Sequence, residues 1–137
     1  MSEDDLKIEI HKKINSIDSY DMLSEVKQEL EDRFGKINKE IEIYMYEEWL
    51  EKIAKKLEIK TINQTKTFIE LEISSNISRK IDGEKLFYTA YDVSKKFKLK
   101  NVNNKIHIIL NLVNLDDHFV KYLIDLLNRI CIENNIN

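Results

Sequence analysis

Glu29–Ile59, ELEDRFGKINKEIEIYMYEEWLEKIAKKLEI, is the stretch on which the reading of this chain turns. It reads as the end of one helix, a glycine stop at Gly35, and a second, long helix from about Asn38 to Leu57. Before the glycine, Leu23, Val26, Leu30 and Phe34 recur at three- and four-residue steps, the spacing of one buried helix face. Asp18 is the expected N-cap of that helix, with Asp21 in its first turn, and Gly35 supplies the left-handed residue that ends it. After the glycine, Ile43, Tyr46, Leu50, Ile53 and Leu57 form a predicted seam along the long helix, with Trp49 at the edge of the core. Ile41, Tyr44 and Met45 point elsewhere, so the first half of this helix is apolar on more than one side. Burial between two neighbours is the expected reading; the alternative is a contact patch of a stand-alone homo-oligomeric interaction domain.

Upstream, Leu6, Ile10, Ile14 and Ile17 place an apolar stripe on a helix from about Asp4 to Ser16, with Asp4 and Asp5 at its positive end. Downstream of Ile59 the period changes. Ile69, Leu71 and Ile73 alternate with Glu70 and Glu72 on a strand, and Ile59 to Asn63 is its predicted hairpin partner. A loop, SSNISRKI, leads to Asp82, the predicted cap of a helix ending near Phe97 whose inward positions are Leu86, Ala90, Val93 and Phe97. Lys98 to Asn101 and Lys105 to Val113 read as a second hairpin around Asn103 and Asn104, which tolerate positive φ. A last helix is predicted from about Leu115 to Ile132, capped by Asn114, with Phe119, Leu123, Leu126 and Ile130 buried. The class is therefore α+β in the order α-α-α-β-β-α-β-β-α. A small, mainly antiparallel sheet with helices packed on one face is expected. The 137 residues are read as a single domain with a helical part over about 4–57 and a strand and helix part over about 59–134.

Composition excludes several classes. The chain has no proline and two glycines, so Pro-rich and collagen-like segments are ruled out. Its formal charge is −3, and Lys52, Lys55, Lys56 and Lys60 are interspersed with Glu47, Glu48, Glu51 and Glu58, which argues against direct nucleic-acid binding. Cys131 is the only cysteine, so no disulfide forms within the chain, and a small core residue is expected there. The acidic start, MSEDDLK, does not resemble a signal peptide, and no apolar run suits a membrane helix; a cytoplasmic location is expected.

No catalytic, cofactor-binding or metal-ligating set is expected. Gly35 and Gly83 stand alone, so no phosphate-cradling loop forms. His11, His107 and His118 lie in different elements without zinc-ligand spacing. Asp116, Asp117 and His118 read as compensation of a helix dipole, and Glu47 and Glu48 diverge on their helix. One cluster stands out: Glu25, Glu29, Asp32 and Arg33 fall on a single flank of the second helix. As an exposed pair Glu29 and Arg33 are worth only about 0.3–0.5 kcal/mol. Acids in the C-terminal half of a helix oppose its dipole, a cost that a partner carrying arginines would offset.

ELEDRFG (Glu29 to Gly35), followed by a long helix closing in AKKLEI (Ala54 to Ile59), resembles the C-terminal regulatory domain of bacterial transcription-repair coupling factors. The upstream KIEIHKKINSID and the downstream order of elements fit as well, so the resemblance covers roughly Leu6 to Ile132. Asn38 departs from a usual proline, Glu58 from a usual glycine, and Glu47, Glu48 and Trp49 from a more apolar and basic run. The resemblance implies a non-catalytic part of an ATP-driven DNA translocase that releases RNA polymerase stalled at lesions and recruits nucleotide excision repair. It implies docking on the N-terminal repair-helicase-like module of the same protein, masking the surface for the damage-recognition ATPase. Glu29, Asp32 and Arg33 are the residues it nominates, with Glu25 beside them. RNA polymerase and the damage-recognition ATPase are then reached only through the parent, and no cofactor is implied. A chain without motor or polymerase-binding module is expected to be excised or separately encoded.

Overall fold

Gly35 ends the second helix with φ 85° and ψ 176°, and its N–H donates to the Glu31 carbonyl at 2.9 Å. The positive φ matches expectation, but ψ is extended rather than helical, a region open essentially to glycine alone. The computed structural model describes residues 2–137. Their order is α1 (Glu3–Lys13), a 3-10 turn (Ile14–Ser16), α2 (Tyr20–Phe34), α3 (Lys39–Lys56), β1 (Thr61–Gln64), β2 (Phe68–Glu72), α4 (Ser75–Ser78), α5 (Gly83–Val93), β3 (Phe97–Val102), β4 (Lys105–Asn111) and α6 (Phe119–Glu133). The chain divides into two compact units, one reaching to Glu51 and the other running from Lys52 to Asn137.

In the first unit, Ser2 and Asp5 form a reciprocal capping box at the start of α1. Ser19, not Asp18, caps α2 by accepting from the Met22 N–H at 3.2 Å. Ile10, Ile17, Leu23, Val26 and Leu30 are buried as their spacing requires; Phe34 is only half-buried, with the Arg33 guanidinium 4.7 Å from its ring centroid. Asn38 caps α3, its side-chain oxygen accepting from the Ile41 N–H at 2.9 Å.

The buried line of α3 differs from the expected seam. Ile41, Met45 and Trp49 are each 1% exposed, whereas Ile43, Tyr46 and Leu50 are half-buried. The buried positions step by four through Ile37, Ile41, Met45, Trp49, Ile53 and Leu57. Each such step advances about 40° round the helix, so the buried face drifts along its length. Trp49 is therefore central rather than marginal, with the Tyr20 ring edge-on at 5.1 Å. Ile41 and Met45 are buried and Tyr44 is half-buried, as the expected burial of this half of the helix requires, so the alternative contact patch of Ile41, Tyr44 and Met45 has little exposed apolar surface.

In the second unit the sheet is antiparallel throughout, in the order β1-β2-β4-β3. Ile69 pairs with Leu110 and Leu71 with Ile108, and all four side chains are buried on one face. The β3–β4 hairpin turns through Asn103 (φ 54°) and Asn104 (φ 64°), the two-residue turn that asparagines favour. α6 contributes Leu123, Ile124, Leu126, Leu127 and Ile130 to the core, and Cys131 is buried, its thiol pushed up in pKa by that burial.

Three expected boundaries move. α5 stops at Val93 because Ser94 is extended (φ −168°, ψ 141°), and Phe97 opens β3 instead of closing the helix. α6 starts at Phe119: Asn114 is left-handed at φ 59°, and the cap is His118, whose Nδ1 accepts from the Val120 N–H at 3.1 Å. Phe119 is half-buried rather than part of the core stripe. The SSNISRKI loop contains the short helix α4, capped by the Ser74 hydroxyl on the Ile77 N–H.

Candidate functional site

The α2 stripe of Leu23, Val26 and Leu30 turns inward, which puts Glu25, Glu29, Asp32 and Arg33 on the outer side. All four are exposed. Glu29 and Arg33 stand one turn apart at 3.9 Å, each side chain 48% exposed. Neither depends on the other alone. Lys13 reaches Glu29 at 2.8 Å, and the Glu9 carboxylate lies 3.6 Å from the Arg33 guanidinium. Asp32 accepts from the Gln28 side-chain amide at 2.9 Å. Glu9 and Lys13 of α1 were not legible as members of this cluster, because only the packing of α1 beside α2 brings them there. Their four-residue separation on one α1 face was the available signal.

Glu31, within the same block, has a different role. Its carboxylate accepts from the Ile37 N–H at 3.2 Å and fixes the turn after Gly35. The outward flank is therefore a line of exchangeable ion pairs, while the adjacent acid is structural. In partly exposed geometry each pair contributes at most about 1 kcal/mol, so a partner offering better-placed charges can replace them.

Other polar clusters in the molecule are explained locally. Between α2 and α3, Lys27 meets Glu42 at 2.7 Å beside a groove of about 290 Å³, and this hydrogen bond raises the lysine pKa. Tyr44 is pushed up to about 12 by its hydrogen bond to Glu48, reinforced by burial. His11 lies 3.5 Å from the same Glu48. On the open face of the sheet His107 sits 2.6 Å from Glu70, which also meets Lys100 at 3.7 Å. Arg129 bridges Asp92 at 2.7 Å and Asp125 at 2.9 Å. Among the described residues no group of three or more His, Cys, Asp or Glu side chains is placed to hold a metal ion. Nor, among the described residues, is any helix long and apolar enough to cross a membrane.

Comparison with known proteins bears on this geometry. The family model described as the TRCF domain matches residues 1–84, more than half of the chain. The transcription-repair-coupling factor of Bacillus subtilis (strain 168) is 29% identical over 102 residues, covering 74% of this chain and 9% of that protein. The factor of Staphylococcus aureus (strain USA300) is 26% identical over 136 residues, covering 99% of this chain and 11% of that protein. The chain thus spans about a tenth of the length of these relatives. A crystal structure of the C-terminal domain of a transcription-repair coupling factor superposes with a TM-score of 0.71 at 19% identity, over 92% of this chain and 78% of that one. The α+β arrangement is the fold of that domain.

Proposed function

The chain belongs to the TRCF domain family, and from that premise we propose that it is a non-catalytic regulatory domain of a transcription-repair coupling factor. In this reading the parent is an ATP-dependent DNA translocase that releases RNA polymerase stalled at lesions and recruits nucleotide excision repair. The domain docks on the parent's N-terminal repair module and masks the site for the damage-recognition ATPase. Glu25, Glu29, Asp32 and Arg33 form the docking face.

The observation that carries the proposal is the outward flank itself. Four charged side chains lie on one exposed side of α2, and three of them, Glu29, Asp32 and Arg33, are held by weak pairs with α1 and Gln28. Glu29 and Asp32 occupy the C-terminal half of the helix, where the dipole disfavours acids, so arginines from a partner would gain on both counts. Such a contact is polar and reversible, which suits a cover that competing interactions must displace.

The test is titration of a separately expressed N-terminal repair module with this chain at low and high salt. Weak, salt-sensitive binding is expected, and the double variant D32R/R33E is expected to abolish it with an unchanged far-UV circular dichroism spectrum. Unaltered binding by that variant would remove these residues from the contact.

A further inference from the structure

The second unit carries a surface that the docking reading leaves unused. α5 presents Phe87, Tyr88 and Tyr91 at 60%, 64% and 58% exposure, in a chain whose other large aromatics are mostly covered. Beside them a groove of about 300 Å³ is lined by Phe87, Ala90, Tyr91, Phe97, Lys98 and Leu99. Its floor is β3, one of the two edge strands of the sheet. Contiguous exposed apolar surface of this kind marks interaction sites.

The edge is also competent for pairing. Asn111 N–H donates to the Lys96 carbonyl at 3.0 Å, and 98 pairs with 109 and 100 with 107 in the same register. Alternation along an antiparallel ladder then turns the N–H and C=O of Leu99 away from β4, towards the open side. The side chains of this stretch, KKFKLK from Lys95 to Lys100, alternate between faces. Phe97 and Leu99 turn towards the groove, while exposed Lys98 and Lys100 lie on the open face. Lys95 stands 5.9 Å from the Tyr91 ring centroid. Lys98 has no carboxylate partner among the described residues, and Asp92, the nearby acid on α5, is held by Arg129 at 2.7 Å.

We propose that the β3 edge and the α5 groove bind an extended protein segment in which acidic and apolar residues alternate, added to the sheet as a further strand. Its backbone bonds to the outward groups of β3, its apolar side chains enter the groove beside Phe87 and Tyr91, and its carboxylates face Lys98 and Lys100. A second copy of this chain is a poor occupant, because two β3 edges would set lysine against lysine. A nucleic-acid strand fits less well. The Phe87 and Tyr88 rings meet edge-on at 78° rather than as a stacking platform.

The test uses the full chain and a fluorescent peptide of about ten residues alternating Glu with Ile or Leu, long enough to span the strand. Fluorescence anisotropy is expected to show saturable binding. A peptide of the same composition with its acids and apolar residues in separate blocks should bind at least about tenfold more weakly, because only alternation matches the two faces. N-methylation of the peptide amides that face β3 should give a comparable loss, as should Lys98→Glu with Lys100→Glu in the chain. Amide resonances of Leu99 and Asn101 should shift on binding. Equal binding of the blocked peptide, or undiminished binding by the folded lysine variant, would overturn the proposal. So would failure of the alternating peptide to bind, or tighter binding of an oligothymidylate than of the peptide.

Discussion

The outer side of α2 and the α5–β3 surface both face solvent, yet they are built from opposite materials. On α2, Glu29 and Arg33 already have partners in Lys13 and Glu9, so docking there exchanges one set of ion pairs for another. On α5, Phe87, Tyr88 and Tyr91 stand uncovered, and Lys98 has no carboxylate partner among the described residues, so docking there gains buried apolar area outright. The first arrangement makes a contact that is specific, salt-sensitive and easily reversed. The second makes one whose strength depends on shape and on the free strand edge. A regulatory cover needs the first kind of surface.

This contrast can be broken or sharpened by substitution. The largest effect is expected one residue inward from the α2 flank. Leu30 is fully buried, and Leu30→Ala should cost about 2–5 kcal/mol in chemical denaturation. Reversal of Asp32 and Arg33 should shift the same curve by less than about 1 kcal/mol, since their pairs are exposed. A large stability loss from that reversal would make the flank structural rather than a docking face.

Next comes the helix stop that aims the flank. At φ 85° and ψ 176° Gly35 has no steric neighbour for a Cβ, so the penalty of Gly35→Ala is backbone strain alone, of order 1–3 kcal/mol. Its counterpart after α3 is Glu58, at φ 53°, where the Ile59 N–H bonds to the Ala54 carbonyl at 2.9 Å and the Glu58 N–H to the Lys55 carbonyl at 3.1 Å. That is the closing pattern in which glycine is favoured. Glu58→Gly should therefore stabilise the chain by about 0.5–1 kcal/mol, after allowing for loss of the bond from the Ser74 hydroxyl. Thermal melts of the two variants should move in opposite directions.

The last effect is a titration, absent at neutral pH. The Glu48 hydrogen bond holds the Tyr44 phenol protonated up to about pH 12, against 10 for a free tyrosine. Between those values the unfolded chain loses this proton and the folded chain keeps it, so stability falls as pH rises through the window. Tyr44→Phe should flatten that part of the alkaline denaturation profile, and a tyrosinate absorbance titration of the folded chain should show one late-ionising group fewer.

How far the sequence carried is visible in particular residues. Gly35, the Asn103–Asn104 turn and the α2 stripe were legible because each is a local rule: a φ requirement, a two-residue hairpin, a helical period. The four flank residues were placed outward for the same reason, as the complement of that stripe. The buried line of α3 was not legible, because Ile41, Met45 and Trp49 compete with Ile43, Tyr46 and Leu50 at nearly the same period, and tertiary packing chooses between them. Asn114 followed by two aspartates imitates a helix start, yet its left-handed backbone delays α6 to Phe119. Glu9 and Lys13 escaped because ion pairs between helices are set by docking angle, which spacing within one helix does not encode. Glu58 was legible only as a departure from a usual glycine; its positive φ supplies the physical reason for that glycine.

The central claim is that the α2 flank, and not the aromatic face of α5, meets the repair module. A photo-crosslinking residue placed at Asp32, and separately at Tyr88, tests it most directly, since both positions are exposed. Mixed with the separately expressed module and irradiated, the position-32 protein should form a salt-sensitive crosslink and the position-88 protein none. A crosslink from position 88 with none from position 32 would contradict the account.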